Sequence, residues 1–154
     1  MRSDLHWLAA AVDVSRAAPP VPDRYAVGAV VVGADGTLLA TGFTGEGDPL
    51  LHAEEAALAK IAGDAGRDVR GATLYTSLEP CTMRRSRPRT CTDLIVAAGI
   101  TRVVLALREP LLFADCDGVE SLRRHGVEVL ELPALAGRVR DLNAHVLARE
   151  VAPA

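Results

Sequence analysis

Apolar residues in this chain come in short runs punctuated by glycine, proline and acidic positions, and the runs alternate between helix-like and strand-like periods. Residues 4–17 set apolar runs around Trp7, Leu8 and Val12 against Asp4 and His6, which predicts an amphipathic helix. Pro19, Pro20 and Pro22 then form a link in which no helix continues. The apolar stretch at 26–33 predicts a strand, and Asp35-Gly36 turns it into a second strand at about 37–43, a hairpin signal. Gly45, Gly47, Asp48 and Pro49 break the chain before a helix at 51–62, whose Glu54-Glu55-Ala56-Ala57-Leu58-Ala59-Lys60-Ile61 has high helix propensity. A strand at 72–77, a helix ending at Ala98 and a strand at 102–107 follow, and then helix, strand and helix at 117–125, 127–132 and 134–149. That alternation predicts a mostly parallel sheet with helices on both faces, its first two strands antiparallel.

Composition narrows the class. A length of 154 residues fits one domain, and 49% hydrophobic residues with two Phe and one Trp imply an aliphatic core. The acid and histidine near the N-terminus argue against a signal peptide, and no run approaches the roughly 18 apolar residues of a membrane span. Three cysteines suit a reducing compartment better than a disulfide scaffold, so a cytoplasmic setting is expected. A net charge of −3 and few aromatics lack the basic face and stacking platform of a polynucleotide binder.

The chemistry concentrates in His52-Ala53-Glu54, Pro80-Cys81 and Cys91. One imidazole and two thiolates can hold Zn²⁺ with a fourth position open, where water is acidified enough to attack an amino-bearing ring carbon. Glu54 is the unliganded carboxylate that would carry protons from that water to the leaving amine. Residues two apart do not share a helix face, so His52 and Glu54 converge only if His52 lies at a helix start. The breakers before it and the acidic first turn after it place it there. Cys81 is expected at a second helix start, after the strand, with its thiolate stabilised by the dipole.

The H-A-E and L-E-P-C segments, with a further cysteine downstream, resemble the cytidine deaminase-like superfamily. The match is most similar to the pyrimidine deaminase domain of riboflavin biosynthesis. It extends through Val27-Gly28-Ala29, Arg87-Pro88-Arg89-Thr90-Cys91, Ala97-Ala98-Gly99-Ile100, Gly118-Val119-Glu120, Gly126-Val127-Glu128-Val129 and Asp141-Leu142-Asn143. The resemblance implies an α/β chain folded as a three-layer α/β/α sandwich with a five-stranded mixed sheet. It also implies a Zn²⁺ cofactor on His52, Cys81 and Cys91, catalysis by Glu54, and a homo-oligomer. Two features depart from the family pattern. The loop between the ligand cysteines, 82–90, is one residue longer than the family's, and Arg24-Tyr25 replaces an Asn-Pro whose asparagine helps hold substrate. Bifunctional members continue into a reductase domain, so a pathway role for this chain implies a separate reductase.

Around the motif, Arg24, Tyr25, Arg84, Arg85, Arg87 and Arg89 are candidate substrate contacts, the loop arginines through a substrate phosphate. Solvation is the plain alternative for the four loop arginines, and a structural role for Arg24 and Tyr25. Glu55 reads as a solvated helix residue, Glu79 as a turn support, Cys116 as a bystander thiol, and His6, His125 and His145 as surface histidines. Three functions remain open: a small-molecule deaminase acting on an aminopyrimidine such as the riboflavin-pathway phosphate, a deaminase of a base in tRNA or single-stranded nucleic acid, and a non-catalytic zinc-binding module.

Overall fold

Strands and helices follow one another in the order the alternation predicts, and the structure, a computed structural model, describes residues 2–64, 67–82, 88–109 and 116–147. Helix α1 (Asp4–Ser15) begins where the Ser3 side chain accepts the His6 N–H, and it buries Leu8, Ala11, Val12 and Ser15, a single helical stripe. Strand β1 (Gly28–Val32) is buried along its whole length. Gly36 takes φ +84° in the turn to β2 (Leu38–Phe43), a conformation glycine adopts without a Cβ clash, and Asp35 accepts the Thr37 N–H at 2.9 Å.

The sheet order is β2-β1-β3-β4-β5, with β3 at Thr73–Leu78, β4 at Arg102–Leu107 and β5 at Glu128–Glu131. β1 runs antiparallel to both neighbours, whereas β3 with β4 and β4 with β5 are parallel. The expected mostly parallel sheet with its first two strands antiparallel is what forms: β2, β3, β4 and β5 share one direction and β1 is reversed among them. The crossover through α2 (Ala53–Ala62) carries the chain from β2 past β1 to β3, so β3 aligns with β2 and must oppose the strand between them.

Alternate strand residues serve two cores. Ala29, Val31, Leu74, Val103 and Leu105 pack with Ala57 and Leu58 of α2, Ile95 of α3 (Cys91–Ala98) and Leu122 of α4 (Gly118–Arg124). Val30, Val32, Tyr75, Val104 and Ala106 pack with Leu8 and Val12 of α1, Val139 of α5 (Ala136–Leu142) and Val146 of α6 (Ala144–Leu147). The result is the expected three-layer α/β/α arrangement around five mixed strands.

The helix predicted over 134–149 is broken. A 3-10 turn at Pro133–Leu135 precedes α5, and Asn143 separates α5 from α6. Asn143 is buried and grips Ala26 on both sides, accepting its N–H at 2.7 Å and donating to its carbonyl at 3.2 Å. Tying the segment before β1 thus overrides helix continuity; residues 148–149 lie outside the described residues.

β2 is an edge strand, and two cations from the α2 region lie along it. Lys60 donates to the Thr41 carbonyl at 2.6 Å and pairs with Glu46, while Arg67 donates to the Leu39 carbonyl and pairs with Asp64. On β2 itself, a Cβ at Gly42 would stand 2.2 Å from the Ala53 carbonyl and 2.6 Å from the Ala57 nitrogen, so α2 rests backbone on backbone against the strand. Across the sheet, Asp4 takes two hydrogen bonds from Arg102, at 2.8 and 2.7 Å, and one from the Tyr75 hydroxyl at 2.7 Å. The Arg102 hydrogen bonds hold the Asp4 carboxyl down at about 2, and burial followed by Asp4 pushes the Tyr75 hydroxyl up to about 12.

Two outcomes follow from these contacts. Gly42→Ala should lift the start of α2 and cost about 1–3 kcal/mol, read from the urea midpoint at unchanged slope. Asp4, with its folded value depressed, adds stability that is complete above its unfolded value of about 3.9 and lost as pH falls toward its folded value. Because the pair is partly exposed, Asp4→Asn should cost only about 1 kcal/mol at neutral pH, and the difference from the parent should close as urea midpoints are followed downward from pH 4.

Candidate metal centre and active site

Two helix starts meet beyond the C-terminal end of β3. His52 is the N-cap of α2, in extended backbone, and Glu55 reaches back to accept its N–H at 3.3 Å. Glu55, expected as a solvated residue, is therefore a capping residue that fixes the histidine's backbone. At α3, Thr90 and Asp93 exchange hydrogen bonds in a capping box, which sets Cys91 at the first helical position and buries it completely.

Cys81 stands elsewhere than expected. It lies in the turn after β3 and not at a helix start, because the capping signal that begins α3 comes only at Thr90. The dipole still reaches it, since its sulfur receives the Cys91 N–H at 3.3 Å from the first turn of α3. The Cys81 thiol is drawn down to about 4, chiefly by its hydrogen bond with Cys91 and further by His52, against the opposing effect of burial. The same contacts favour the thiolate, the form a metal requires.

Nδ1 of His52 stands 3.2 Å from the Cys91 sulfur and 3.5 Å from the Cys81 sulfur, and the three ligand atoms all lie within 4.8 Å of one another. Nitrogen and sulfur ligands on a tetrahedral zinc are about 3.6 Å apart, so the triad fits that ion with slight contraction. No fourth histidine, cysteine or carboxylate joins the group among the described residues, which leaves one tetrahedral direction for a non-protein ligand.

Glu54 enters from the first turn of α2 and is 3% exposed. Burial, opposed by the charge of His52, pushes its carboxyl up from the ordinary range. The Thr76 hydroxyl lies 2.8 Å from Oε1 of Glu54 and 2.8 Å from the Leu78 carbonyl. A hydroxyl has one proton to give. Donated to Glu54, it serves the carboxylate; donated to Leu78, it leaves the Thr76 oxygen to accept from the protonated acid. Both forms of Glu54 are thereby accommodated without a change of fold.

Sequence reasoning did not reach Thr76 or Glu109. Glu109 follows β4, and its carboxyl is pushed up to about 7, first by burial and also by the charges of Cys81, Glu79 and Glu54. Its nearness to Cys81 arises from the parallel pairing of β3 and β4, which no linear motif announces. Cys116, half-buried, lies beside it with its thiol raised by burial and directed at the Pro80 carbonyl, 3.4 Å away.

Among the candidate substrate contacts, Arg24 lines a cavity of about 120 Å³ with Pro19, Thr44, Gly45 and Pro49, at the loop that leads into His52; none of the three ligand residues lines it. Tyr25 is 8% exposed and belongs to the core beneath α1, with Leu8, Val12 and Val30. Arg89 is exposed just before α3, and Arg84, Arg85 and Arg87 lie outside the described residues. His6 and His125 are exposed as expected, whereas half-buried His145 places Nε2 3.0 Å from the Arg24 carbonyl. No helix among the described residues is long and apolar enough to cross a membrane.

Comparison with known proteins agrees with this geometry. The chain is 36% identical over 126 residues to the diaminohydroxyphosphoribosylamino-pyrimidine deaminase of Schizosaccharomyces pombe, covering 81% of this chain and 31% of that protein. It is 43% identical over 118 residues to the riboflavin biosynthesis protein RibD of Aquifex aeolicus, covering 76% of this chain and again 31% of the relative. The chain thus spans about a third of the curated relatives it matches. A crystal structure of a diaminohydroxyphosphoribosylaminopyrimidine deaminase/5-amino-6-(5-phosphoribosylamino)uracil reductase from Thermotoga maritima superposes with a TM-score of 0.78 at 38% identity, over 90% of this chain and 38% of that one. Residues 1–107, which contain His52, Glu54, Cys81 and Cys91, match the family pattern described as the cytidine and deoxycytidylate deaminase zinc-binding region, and the chain belongs to that family.

Proposed function

We propose that the chain is a zinc-dependent hydrolytic deaminase that converts an amino-bearing pyrimidine to the carbonyl compound with release of ammonia, and that its substrate is the diaminopyrimidine phosphate of riboflavin biosynthesis. The observation that carries this reading is the gathering of one imidazole and two thiols within 4.8 Å of one another, beside a buried carboxyl, Glu54, on which the charges of His52 and Cys81 act. His52, Cys81 and Cys91 would hold the zinc, which when bound acts as a Lewis acid and brings the acidity of water toward neutral pH. Glu54 takes the proton of the attacking water and delivers it to the departing amino group. One C–O bond forms, one C–N bond breaks, and ammonia leaves. Thr76 holds Glu54 in place through both protonation states.

The substrate assignment draws on the riboflavin-pathway names of the relatives and on the arginines of the loop sequence. Arg89 before α3, with Arg84, Arg85 and Arg87 in the same loop sequence, suits an anionic substituent, since guanidinium takes phosphate through paired, charge-assisted hydrogen bonds, whereas Arg24 shares its cavity with Asp23. A self-associating, cytoplasmic enzyme goes with this reading, and sedimentation of the full chain tests the self-association.

The deciding experiment measures ammonia from zinc-loaded protein offered aminated pyrimidines and purines as bases, nucleosides and phosphates, the riboflavin-pathway compound included, with single-stranded RNA alongside. Selective release from the pathway phosphate is expected; release from RNA alone would make this a nucleic-acid deaminase. Glu54→Gln should keep its zinc while turnover falls by about 10²- to 10⁴-fold, and unchanged turnover in that variant would refute the proton-shuttle role. Removing the metal with a chelator should abolish ammonia release, and Zn²⁺ but not Mg²⁺ should restore it, because thiolate and imidazole donors select the softer ion.

A further inference from the structure

Glu79 is 3% exposed, directly after β3, and is neither one of the three ligands nor the proton shuttle. Both of its carboxyl oxygens are engaged. Oε1 accepts the Glu109 N–H and Oε2 accepts the Val119 N–H, each at 2.9 Å. These amides belong to different elements, the exit of β4 and the first turn of α4. Drawing both to one carboxyl brings residues 116–118 onto the turn that carries Cys81. There the Cys116 sulfur meets the Pro80 carbonyl, the Asp117 N–H donates to the Thr82 hydroxyl at 3.3 Å, and Gly118 is so close that a Cβ would stand 2.2 Å from the Pro80 oxygen. From the other side, the N–H and hydroxyl of Thr92 both donate to the Cys81 carbonyl, at 3.2 and 2.9 Å. The turn is therefore gripped between the starts of α3 and α4.

We propose that Glu79 is a positioning residue of the metal centre, which sets the Cys81 sulfur relative to His52 and Cys91 by holding the start of α4 against the Pro80 to Thr82 turn. The proposal rests on the reading of His52, Cys81 and Cys91 as ligands. Only a carboxylate satisfies the arrangement. Glutamine in its place would turn an NH₂ toward one of the two amide donors, forcing the turn away from the exit of β4 or from α4. Groups that orient a ligand without touching the metal commonly tune affinity, so the effect belongs in metal binding and in ligand geometry.

The test uses the full chain, with zinc affinity from chelator competition and ligand geometry from the visible bands of the cobalt-substituted protein. A parent chain that takes up no zinc and gives no thiolate-to-cobalt absorption would overturn the ligand reading before any variant is considered. With the parent metallated, Glu79→Gln is expected to lower zinc affinity about 10- to 100-fold and to shift the cobalt bands at unchanged far-ultraviolet circular dichroism. Parental affinity and spectrum in Glu79→Gln would overturn the positioning role. Should that variant fail to fold, Thr82→Val, which removes the hydroxyl that accepts the Asp117 N–H and donates to the Asp117 carboxyl, replaces it: shifted cobalt bands support the clamp, and unshifted bands overturn it.

Discussion

The contact between Gly42 and the first turn of α2 fixes where that helix begins, and the centre is assembled from that beginning. With backbone pressed on backbone, α2 has no freedom to slide along β2, so the residue before its first turn is held in extended conformation at the strand's end. His52 is that residue. Residues two apart diverge on a continuous helix, but here one member of the pair is still outside it, and the charge of the imidazole acts on the Glu54 carboxyl. A helix start displaced by one residue would send one of the two elsewhere.

The cysteine half of the centre is built differently. Cys91 is placed by a capping box, a local device contained in four consecutive residues, whereas Cys81 sits in an irregular turn whose shape comes from its neighbours. The placement of His52 and Cys91 is therefore specified by helix chemistry and that of Cys81 by tertiary contact. Electrostatics closes the difference: the α3 N–H that reaches the Cys81 sulfur stabilises negative charge on a residue outside the helix, and burial of Glu54 favours its neutral form a short distance away. Neighbouring acids with divergent proton affinities are what a reaction that moves protons around a metal requires.

The parts of this organisation legible in the chain were those encoded by adjacent residues. The Asp35-Gly36 turn, the breakers before His52, the acidic first turn of α2 and the strand ending in Leu-Glu-Pro-Cys all carry their meaning within a few positions. What could not be read depends on distant partners. β1 opposes β3 because of a crossover, and Asn143 interrupts a helical run in order to hold Ala26. Thr76 looks like any β-branched strand residue until the helix carrying Glu54 is laid across the sheet. Glu79 was legible as a support for its turn, but its two amide partners lie on elements that fold far downstream.

The cations along β2 give α2 a second responsibility. Lys60 lies on that helix and Arg67 follows it, and between them they occupy outward carbonyls of an edge strand that would otherwise be open to another chain. The helix whose first turn presents His52 and Glu54 is thus the one whose far end keeps the sheet from growing. Any loosening of α2 disassembles the centre and unmasks a strand edge together, so in this chain inactivation and aggregation are coupled as two faces of a single local unfolding event.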